Sequence, residues 1–260
     1  SSKQLQVFTN LEMLHPAVST RAVDGQWESN DTIGISSTGM MDNMKFTRSG
    51  TSNQFVSAST VWFKDKGVRS FSAYYPYNAN PTNDLIMFQV PDSAIQSKQK
   101  VNDFLFASGQ ASYAYPSLTL NFTHKMARVF IKIYPSPEYG FTTNDFSGSI
   151  LTFCDYFDSG TFNIKTGKVE CSEESVSTGY FGEVKSSYMT FMLYVPAQTV
   201  PNIQLDLQNG EHYTFSINDK WEAGHSYSYS LKPVRSKLQI TSVSISSWES
   251  EQEQSIPGYI

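Results

Sequence analysis

Apolar and polar residues alternate along most of the chain, and sustained helical periodicity is almost absent. The pattern is clear where Leu118, Leu120 and Phe122 are separated by polar residues. A period of two predicts a half-buried β-strand. The same pattern predicts strands at residues 5–8, 11–14, 32–35, 55–63, 71–75, 85–90, 127–133, 149–154, 161–164, 189–195, 203–207, 213–217, 227–231 and 238–245. Because Gly, Pro, Asn and Ser turns separate these strands, we predict an all-β protein made of β-sandwiches.

Departures from the alternation predict a bulge, a helix and a domain boundary. The apolar parity changes between Ile240 and Val243, which indicates a β-bulge near Thr241-Ser242. Residues 92–102 favour one short helix, with Asp92 or Ser93 as its N-cap. Pro116 follows a linker-like stretch at residues 108–115, so we place a boundary there between domains 1–117 and 118–260. The second domain ends in a polar, acidic tail at residues 249–260.

The composition excludes several classes of protein. The net charge of −5 disfavours a nucleic-acid partner, which calls for a basic surface. No segment reaches the roughly 18 consecutive apolar residues of a membrane-spanning helix. Charged residues make up 17% of the chain, while 37 Ser and 20 Thr supply much of its polarity. This hydroxyl-rich surface is typical of an exported protein, and we expect an export signal to have been removed before Ser1.

Motifs that carry chemistry are missing from the sequence. It contains no phosphate-binding glycine loop and no Gly-x-Ser-x-Gly, and its four histidines lack metal-ligand spacing. We therefore predict no catalytic residues, no metal site, no cofactor and no enzymatic activity. Cys154 and Cys171 either pair in an oxidising compartment or remain free thiols in neighbouring strands.

Aromatic residues form 14% of the chain and raise the question of ligand stacking. Tyr74, Tyr75 and Tyr77 lie around Pro76 and could form a flat platform for a sugar. The alternative is that Phe71 and its same-face neighbours, including Tyr75, point into the core and that Pro76 ends the strand.

Several short blocks, taken together, carry a family resemblance. They are Thr20-Arg21-Ala22 with Trp27 and Asp31-Thr32-Ile33-Gly34-Ile35, Phe71-Ser72-Ala73-Tyr74-Tyr75-Pro76-Tyr77, Asp103-Phe104-Leu105-Phe106-Ala107, Leu120-Asn121-Phe122-Thr123-His124-Lys125-Met126-Ala127, and Trp221-Glu222-Ala223-Gly224-His225-Ser226-Tyr227. In this order they resemble the fimbrillin-like family of type V pilins.

The resemblance implies a fold, a location and partners. It implies two transthyretin-like (Greek-key) β-sandwich domains in tandem and export as a lipoprotein, with the N-terminal lipid present only in the precursor. It also implies display at the outer membrane as a structural or adhesive fimbrial subunit. The expected partners are other fimbrial subunits, together with a host protein or glycan.

The resemblance also implies a maturation step at Arg21-Ala22. Cleavage there would release residues 1–21 as a strand that fills its own domain, and a neighbouring subunit's strand would replace it. The side chains expected to fill this groove are Leu5, Val7, Leu11 and Met13. The candidate donor strand carries Leu238, Ile240, Val243 and Ile245.

Two alternatives stay open at this stage. Residues 1–20 could form a permanent edge strand, with Arg21 in an ordinary loop. The protein could also be a secreted carbohydrate-binding or carbohydrate-processing β-sandwich that uses Tyr74, Tyr75, Tyr77 or Trp62.

Overall fold

The computed structural model describes residues 3–11, 26–234 and 237–247. Strands make up most of the described chain, and its helices are short, which confirms the all-β prediction. No helix in these ranges is long and apolar enough to cross a membrane.

The strands follow one another along the whole described chain. Those before the helical segment are β1 (Gln6–Leu11), β2 (Thr32–Ser37), β3 (Met41–Arg48), β4 (Gln54–Val56), β5 (Val68–Tyr75) and β6 (Leu85–Gln89). The next group is β7 (Leu105–Ser112), β8 (Ser117–His124), β9 (Ala127–Ile133), β10 (Ile150–Tyr156), β11 (Ser159–Asn163), β12 (Val169–Cys171), β13 (Val176–Phe181) and β14 (Glu183–Val184). The last group is β15 (Met189–Val195), β16 (Gln198–Thr199), β17 (Asn202–Asp206), β18 (His212–Phe215), β19 (Lys220–Trp221), β20 (His225–Val234) and β21 (Lys237–Ser247).

The predicted helix is shorter than expected. Helix α1 (Gln96–Gln99) begins four residues later than the predicted start and continues as a 3₁₀ turn over Lys100–Asn102. Neither Asp92 nor Ser93 caps it, because Ile95 occupies the N-cap position without a side-chain hydrogen bond. Gln99 is buried, and its amide donates to the carbonyl oxygens of Pro91 and Ser93, which anchors the turn.

The chain divides into two compact units, each made of discontinuous segments. Unit 1 contains the described residues of 1–87, 103–125 and 161–169, and unit 2 contains those of 88–102, 126–160 and 170–260. These units do not contain the same residues as the predicted domains 1–117 and 118–260. The predicted boundary concerns which parts of the chain fold independently, and it stays a prediction. The stretch at residues 108–115 is not a linker, since β7 and the turn into β8 occupy most of it.

Unit 1 is built around a ring of seven hydrogen-bonded strands. Their order is β1-β4-β3-β2-β5-β7-β8, and β8 pairs with β1 to close the ring. The apolar faces of these strands enclose one core, which includes the fully buried Ile33, Ile35, Leu118 and Leu120. Most strands of the ring bury one face, and alternation predicted most of them, although it missed β3 and β7.

Unit 2 contains two larger sheets. One has the order β13-β10-β17-β18 and the other β14-β15-β9-β20-β21, and residues of both sheets form a common core. Trp221 is buried in this core, and its indole N–H donates to the Tyr229 hydroxyl at 3.1 Å. Strands β20 and β21 shift register beside Ser230, so that Thr241 is the extra residue, which confirms the predicted bulge.

A matched pair of substitutions on β8 tests the core of unit 1. Leu120 is fully buried and Thr119 is exposed on the opposite face of the same strand. We expect Leu120→Ala to lower the free energy of unfolding by about 2–5 kcal/mol, because it removes buried methyl groups and leaves a cavity. Thr119→Ala is expected to change it by less than about 0.5 kcal/mol. Urea unfolding followed by tryptophan fluorescence measures both, and equal effects would contradict the assigned faces of β8.

Candidate functional site at the seat of the N-terminal strand

Strand β1 presents one face to the core of unit 1 and the other to solvent. Leu5, Val7 and Thr9 are buried, with 5%, 1% and 1% of their surface exposed. Leu11, the next residue of the same parity, is half-buried against the same core. The intervening Gln6 and Asn10 are exposed. The predicted groove-filling residues Leu5, Val7 and Leu11 therefore share one face, to which the structure adds Thr9.

The backbone of β1 is paired along both of its edges. On one side it runs parallel to β8, in register from Gln6↔Ser117 to Leu11↔Phe122. On the other side it runs antiparallel to β4, with Val7 opposite Phe55. Further hydrogen bonds extend the pairing beyond the strand itself, since the Leu5 N–H donates to the Val61 carbonyl oxygen at 2.9 Å. Strand β1 thus occupies an interior position in the ring.

Thr9 adds a polar contact to this buried face. Its backbone N–H donates to the carbonyl oxygen of Asn53 at 2.9 Å, and its hydroxyl donates to the same oxygen at 3.2 Å. A buried hydroxyl without a partner would be costly, so the Asn53 carbonyl is what makes threonine acceptable here.

Departure of β1 would open the ring. The ladder between β8 and β7 consists of Leu105↔His124 and Phe106↔Thr123, at the end of β8 remote from Ser117. Along residues 117–122 the regular partner of β8 is β1. Removing β1 would therefore expose one edge of β8, one edge of β4, and the apolar core surface that Leu5 and Val7 cover.

Trp27 holds the chain that follows the undescribed residues 12–25. Its ring makes edge contacts with Phe55 of β4, Tyr75 of β5 and Phe122 of β8, at centroid distances of 5.1, 5.5 and 5.3 Å. The Arg48 guanidinium donates a hydrogen bond to the Trp27 carbonyl oxygen. Because Phe55 and Phe122 lie on the two strands that flank β1, Trp27 bridges the neighbours of β1 independently of β1 itself.

Asp31 fixes the same segment from its other end. Its carboxylate accepts a hydrogen bond from the Glu28 N–H at 2.6 Å and one from the Tyr75 hydroxyl at 3.2 Å. Burial and the negative charge of Asp31 raise the pKa of Tyr75 well above its ordinary value, so the phenol stays protonated and remains a donor. Residues 27–31 are therefore attached to the ring by contacts of their own.

The predicted donor segment is an edge strand of unit 2. Strand β21 is antiparallel to β20, from His225↔Ser247 to Val234↔Lys237, and the backbone of Leu238 lies opposite Pro233. Ile240 and Val243 are partly buried against the unit 2 core, whereas Ile245 is 48% exposed. The outer edge of β21 pairs with no named strand among the described residues.

Other residues singled out from the sequence lie elsewhere. Arg21, Ala22 and Met13 fall outside the described residues. Tyr74 and Tyr75 are buried, with 1% and 7% exposed, so neither ring offers a free face, while Tyr77 is half-buried.

The environment of Tyr74 is that of a structural residue. Its hydroxyl donates to the Asn43 side-chain oxygen at 2.7 Å and receives the Asn78 N–H at 3.1 Å. Burial raises the pKa of Tyr74 to about 12. Trp62, the remaining aromatic considered for stacking, is 46% exposed.

The cysteines and acidic groups form no reactive cluster in the described chain. Cys154 and Cys171 are free thiols, and burial raises the pKa of Cys171. Within residues 3–11, 26–234 and 237–247, no group of three His, Cys, Asp or Glu side chains is placed to hold a metal ion.

Comparison with known proteins places this all-β chain in a family. A family model described as fimbrillin-like matches residues 20–248. The chain therefore belongs to the fimbrillin-like family, which confirms the resemblance drawn from its sequence blocks. It is also 24% identical over 249 residues to Fim1C, a proposed fimbrium subunit of Bacteroides uniformis, and the match covers 86% of this chain and 80% of that protein.

Solved structures share the fold. A proposed cell adhesion protein from Bacteroides uniformis aligns with a TM-score of 0.75 and 21% identity, covering 95% of this chain and 99% of that one. Another from Bacteroides ovatus aligns with a TM-score of 0.73 and 23% identity, covering 95% and 98%. The architecture described above is therefore found in proteins of known structure.

Substitutions at two neighbouring positions of β1 test which of its faces is buried in the ring. Val7→Asp places a carboxylate on the buried face, whereas Gln6→Asp places the same group on the exposed face. We expect Val7→Asp to lower the free energy of unfolding of unit 1 by at least about 3 kcal/mol, since an unpaired charge would be buried. Gln6→Asp is expected to change it by less than about 0.5 kcal/mol. Denaturant unfolding makes the comparison, and similar losses in both variants would contradict the assigned orientation of β1.

Proposed function

We propose that this chain is a structural or adhesive subunit of a bacterial cell-surface fimbria, and that it assembles by strand complementation. Membership of the fimbrillin-like family supports the fimbrial role. The observation that carries the mechanism is the position of β1, which precedes Arg21 in the sequence and pairs along both edges inside the ring. A single cut after Arg21 would remove the covalent link between β1 and the strands that follow it.

Cleavage after Arg21 is the proposed trigger. Residues 1–21 would leave as a strand, and Trp27 would keep the new N-terminal segment attached between β4, β5 and β8. The open edges of β4 and β8 and the exposed core would then accept a strand from a neighbouring subunit. Leu5 and Val7 each stabilise the ring by about 1.5–3 kcal/mol through burial, so a donor must bring comparable apolar side chains.

Strand β21 is the proposed donor. It lies at a sheet edge near the C-terminal end of the described chain. Ile240 comes before the bulge, and Val243 and Ile245 come after it and are separated by the polar Ser244. The exposed Ile245 is a side chain that its own unit does not fully bury and that a groove in another subunit could cover.

The remaining parts of the proposal concern fold and location. We propose that both units are transthyretin-like Greek-key sandwiches, which the two facing sheets of unit 2 support. Export as a lipoprotein, loss of the lipid with the N-terminal segment, and display at the outer membrane complete the proposed pathway. A structural role without catalysis accords with the family.

The alternative of a carbohydrate-binding sandwich that stacks sugars on Tyr74, Tyr75 and Tyr77 has less support. Two of these three rings are buried in unit 1. Trp62 and Tyr77 would have to bind the sugar without them.

Limited trypsin digestion tests the maturation step. We expect the wild-type protein to be cut after Arg21 and then to form oligomers on size-exclusion chromatography, because the opened ring recruits strands from other copies. Arg21→Gln should resist the cut and stay monomeric under the same conditions.

Mass spectrometry of the cut protein supplies the control, since it shows whether residues 1–21 have left. A chain that resists cleavage at Arg21 and never oligomerises would show that β1 is a permanent strand. Loss of residues 1–21 from a protein that remains monomeric would equally contradict complementation.

Substitutions on opposite faces of β21 test whether this strand is the donor. We expect Ile245→Asp to abolish addition of uncut protein to trypsin-opened wild-type protein, because a carboxylate would enter the apolar groove. Ser244→Asp on the other face should leave addition intact. Since Ile245 is already exposed, its substitution should leave the thermal unfolding midpoint of the free subunit unchanged. Normal addition by Ile245→Asp would exclude β21 as the donor.

A further inference from the structure

Three serines form a row across the outer face of unit 1. Ser36 of β2 lies opposite Ser72 of β5, which in turn lies opposite Ser108 of β7. Their neighbours in sequence point inward, since Ile35, Phe71, Ala73 and Ala107 are buried in the core. Serine is short, so three in-register serines lower the surface of the sheet at this point and line it with hydroxyl groups.

The serine row is the floor of an open cleft. The next row on the same face is closed, because the Tyr74 ring covers Gly34 and a Cβ there would collide with it. The turn between β2 and β3, which passes through Gly39 at φ +73°, rises on one side of the floor. Lys165 and Thr166, from the loop between β11 and β12, line another side. The cleft has a volume of about 960 Å³, near the upper end of the range of small-ligand sites.

Ser37 is among the lining residues of this cleft, but its hydroxyl oxygen is shielded from solvent. It is 5% exposed, and its hydroxyl has no hydrogen-bond partner among the residues that the structure describes. Neighbouring groups are satisfied, as the Ser36 hydroxyl accepts the Asn43 N–H at 2.8 Å. The hydroxyl groups open to a ligand are therefore those of the serine row and not the Ser37 hydroxyl.

The charges of the cleft favour an uncharged ligand. Lys165 forms an ion pair with Asp42 and lies 3.8 Å from Asp84. The ammonium group beside Asp42 holds the pKa of that carboxyl below its usual range, so Asp42 is ionised at neutral pH. Two negative charges against one positive charge oppose an anion, while the carboxylates remain acceptors for hydroxyl donors.

The backbone of the floor excludes recognition of a peptide by strand addition. Strands β2, β5 and β7 are interior strands of the ring, each with a partner on both sides. A ligand here must therefore be bound by side chains. Phe106 and Met40 add apolar surface beside the hydroxyl groups, and this combination suits a sugar ring, which has polar edges and an apolar C–H face.

We propose that this cleft binds a neutral oligosaccharide through the serine row and the two carboxylates. The site is separate from strand exchange, because none of its lining residues belongs to β1, β4, β8 or β21. It also differs from the aromatic platform considered at Tyr74–Tyr77. The proposal is thus independent of the assembly mechanism, and either can fail alone.

The test uses uncut, monomeric full-length protein. An array carrying neutral hexose and N-acetylhexosamine oligosaccharides, with sialylated and sulfated counterparts, gives the initial selection, and titration calorimetry measures the affinity of the best neutral probe. We expect binding of neutral probes, with at least tenfold weaker binding of acidic ones. Amide chemical-shift changes in ¹H–¹⁵N spectra should be concentrated at residues 36–42, 70–72, 108 and 165–166.

Variants that fill or alter the cleft complete the test. Ser108→Tyr places a bulky ring on an exposed floor position and should weaken binding at least tenfold. Thr119→Tyr places the same ring at an exposed position of β8 outside the cleft and should leave binding unchanged. Asp84→Asn keeps the shape but removes one acceptor charge, and we expect a threefold or greater loss. Equal thermal midpoints for the three variants and the wild type show that each folds.

Four outcomes would overturn the proposal, the first three of them measured as binding. These three are failure of every neutral probe to bind, tighter binding of the acidic probes, and equal loss of affinity in Ser108→Tyr and Thr119→Tyr. Chemical-shift changes centred on Trp62 or Tyr77 would also overturn it, by assigning the sugar to another surface.

Discussion

Pairing of β1 along both edges is the interaction on which unit 1 depends. Buried backbone N–H and C=O groups need partners, and in a ring of strands each strand supplies those partners to two others. Strand β1 does this for β4 and for residues 117–122 of β8. The ring is therefore complete only while β1, a strand of six residues, stays in place.

The rest of unit 1 is arranged so that its core does not depend on β1 alone. Trp27 packs on Phe55, Tyr75 and Phe122, and Arg48 and Asp31 fix the chain on either side of it. These contacts hold the strands flanking β1 at a fixed separation. An acceptor groove shaped in this way would lose little of its form when emptied, so an incoming strand would meet a preorganised site.

Alternation in the sequence predicted those strands that bury one face, such as β8 and β9, and it located Leu5, Val7 and the bulge at Thr241. It missed β7, because Ser108, Gly109 and Gln110 interrupt the apolar pattern, although the short side chain of Ser108 is what gives the outer face its hydroxyl-lined cleft. The alternation also did not predict that the strands of unit 1 close into a ring. The parallel pairing of residues 6–11 with 117–122 joins segments more than a hundred positions apart, and local periodicity carries no information about such partners.

Thr9 has a consequence for the fidelity of pairing. An all-apolar strand could slide by two residues along the groove and still bury hydrophobic surface, because the period of the side chains is two. In the observed alignment the Thr9 hydroxyl reaches the Asn53 carbonyl oxygen, and in any other alignment it would need a different carbonyl oxygen within reach. A single polar atom in the buried face thus adds a second requirement to apolar burial: a strand that carries threonine at this position must also find a carbonyl oxygen for its hydroxyl.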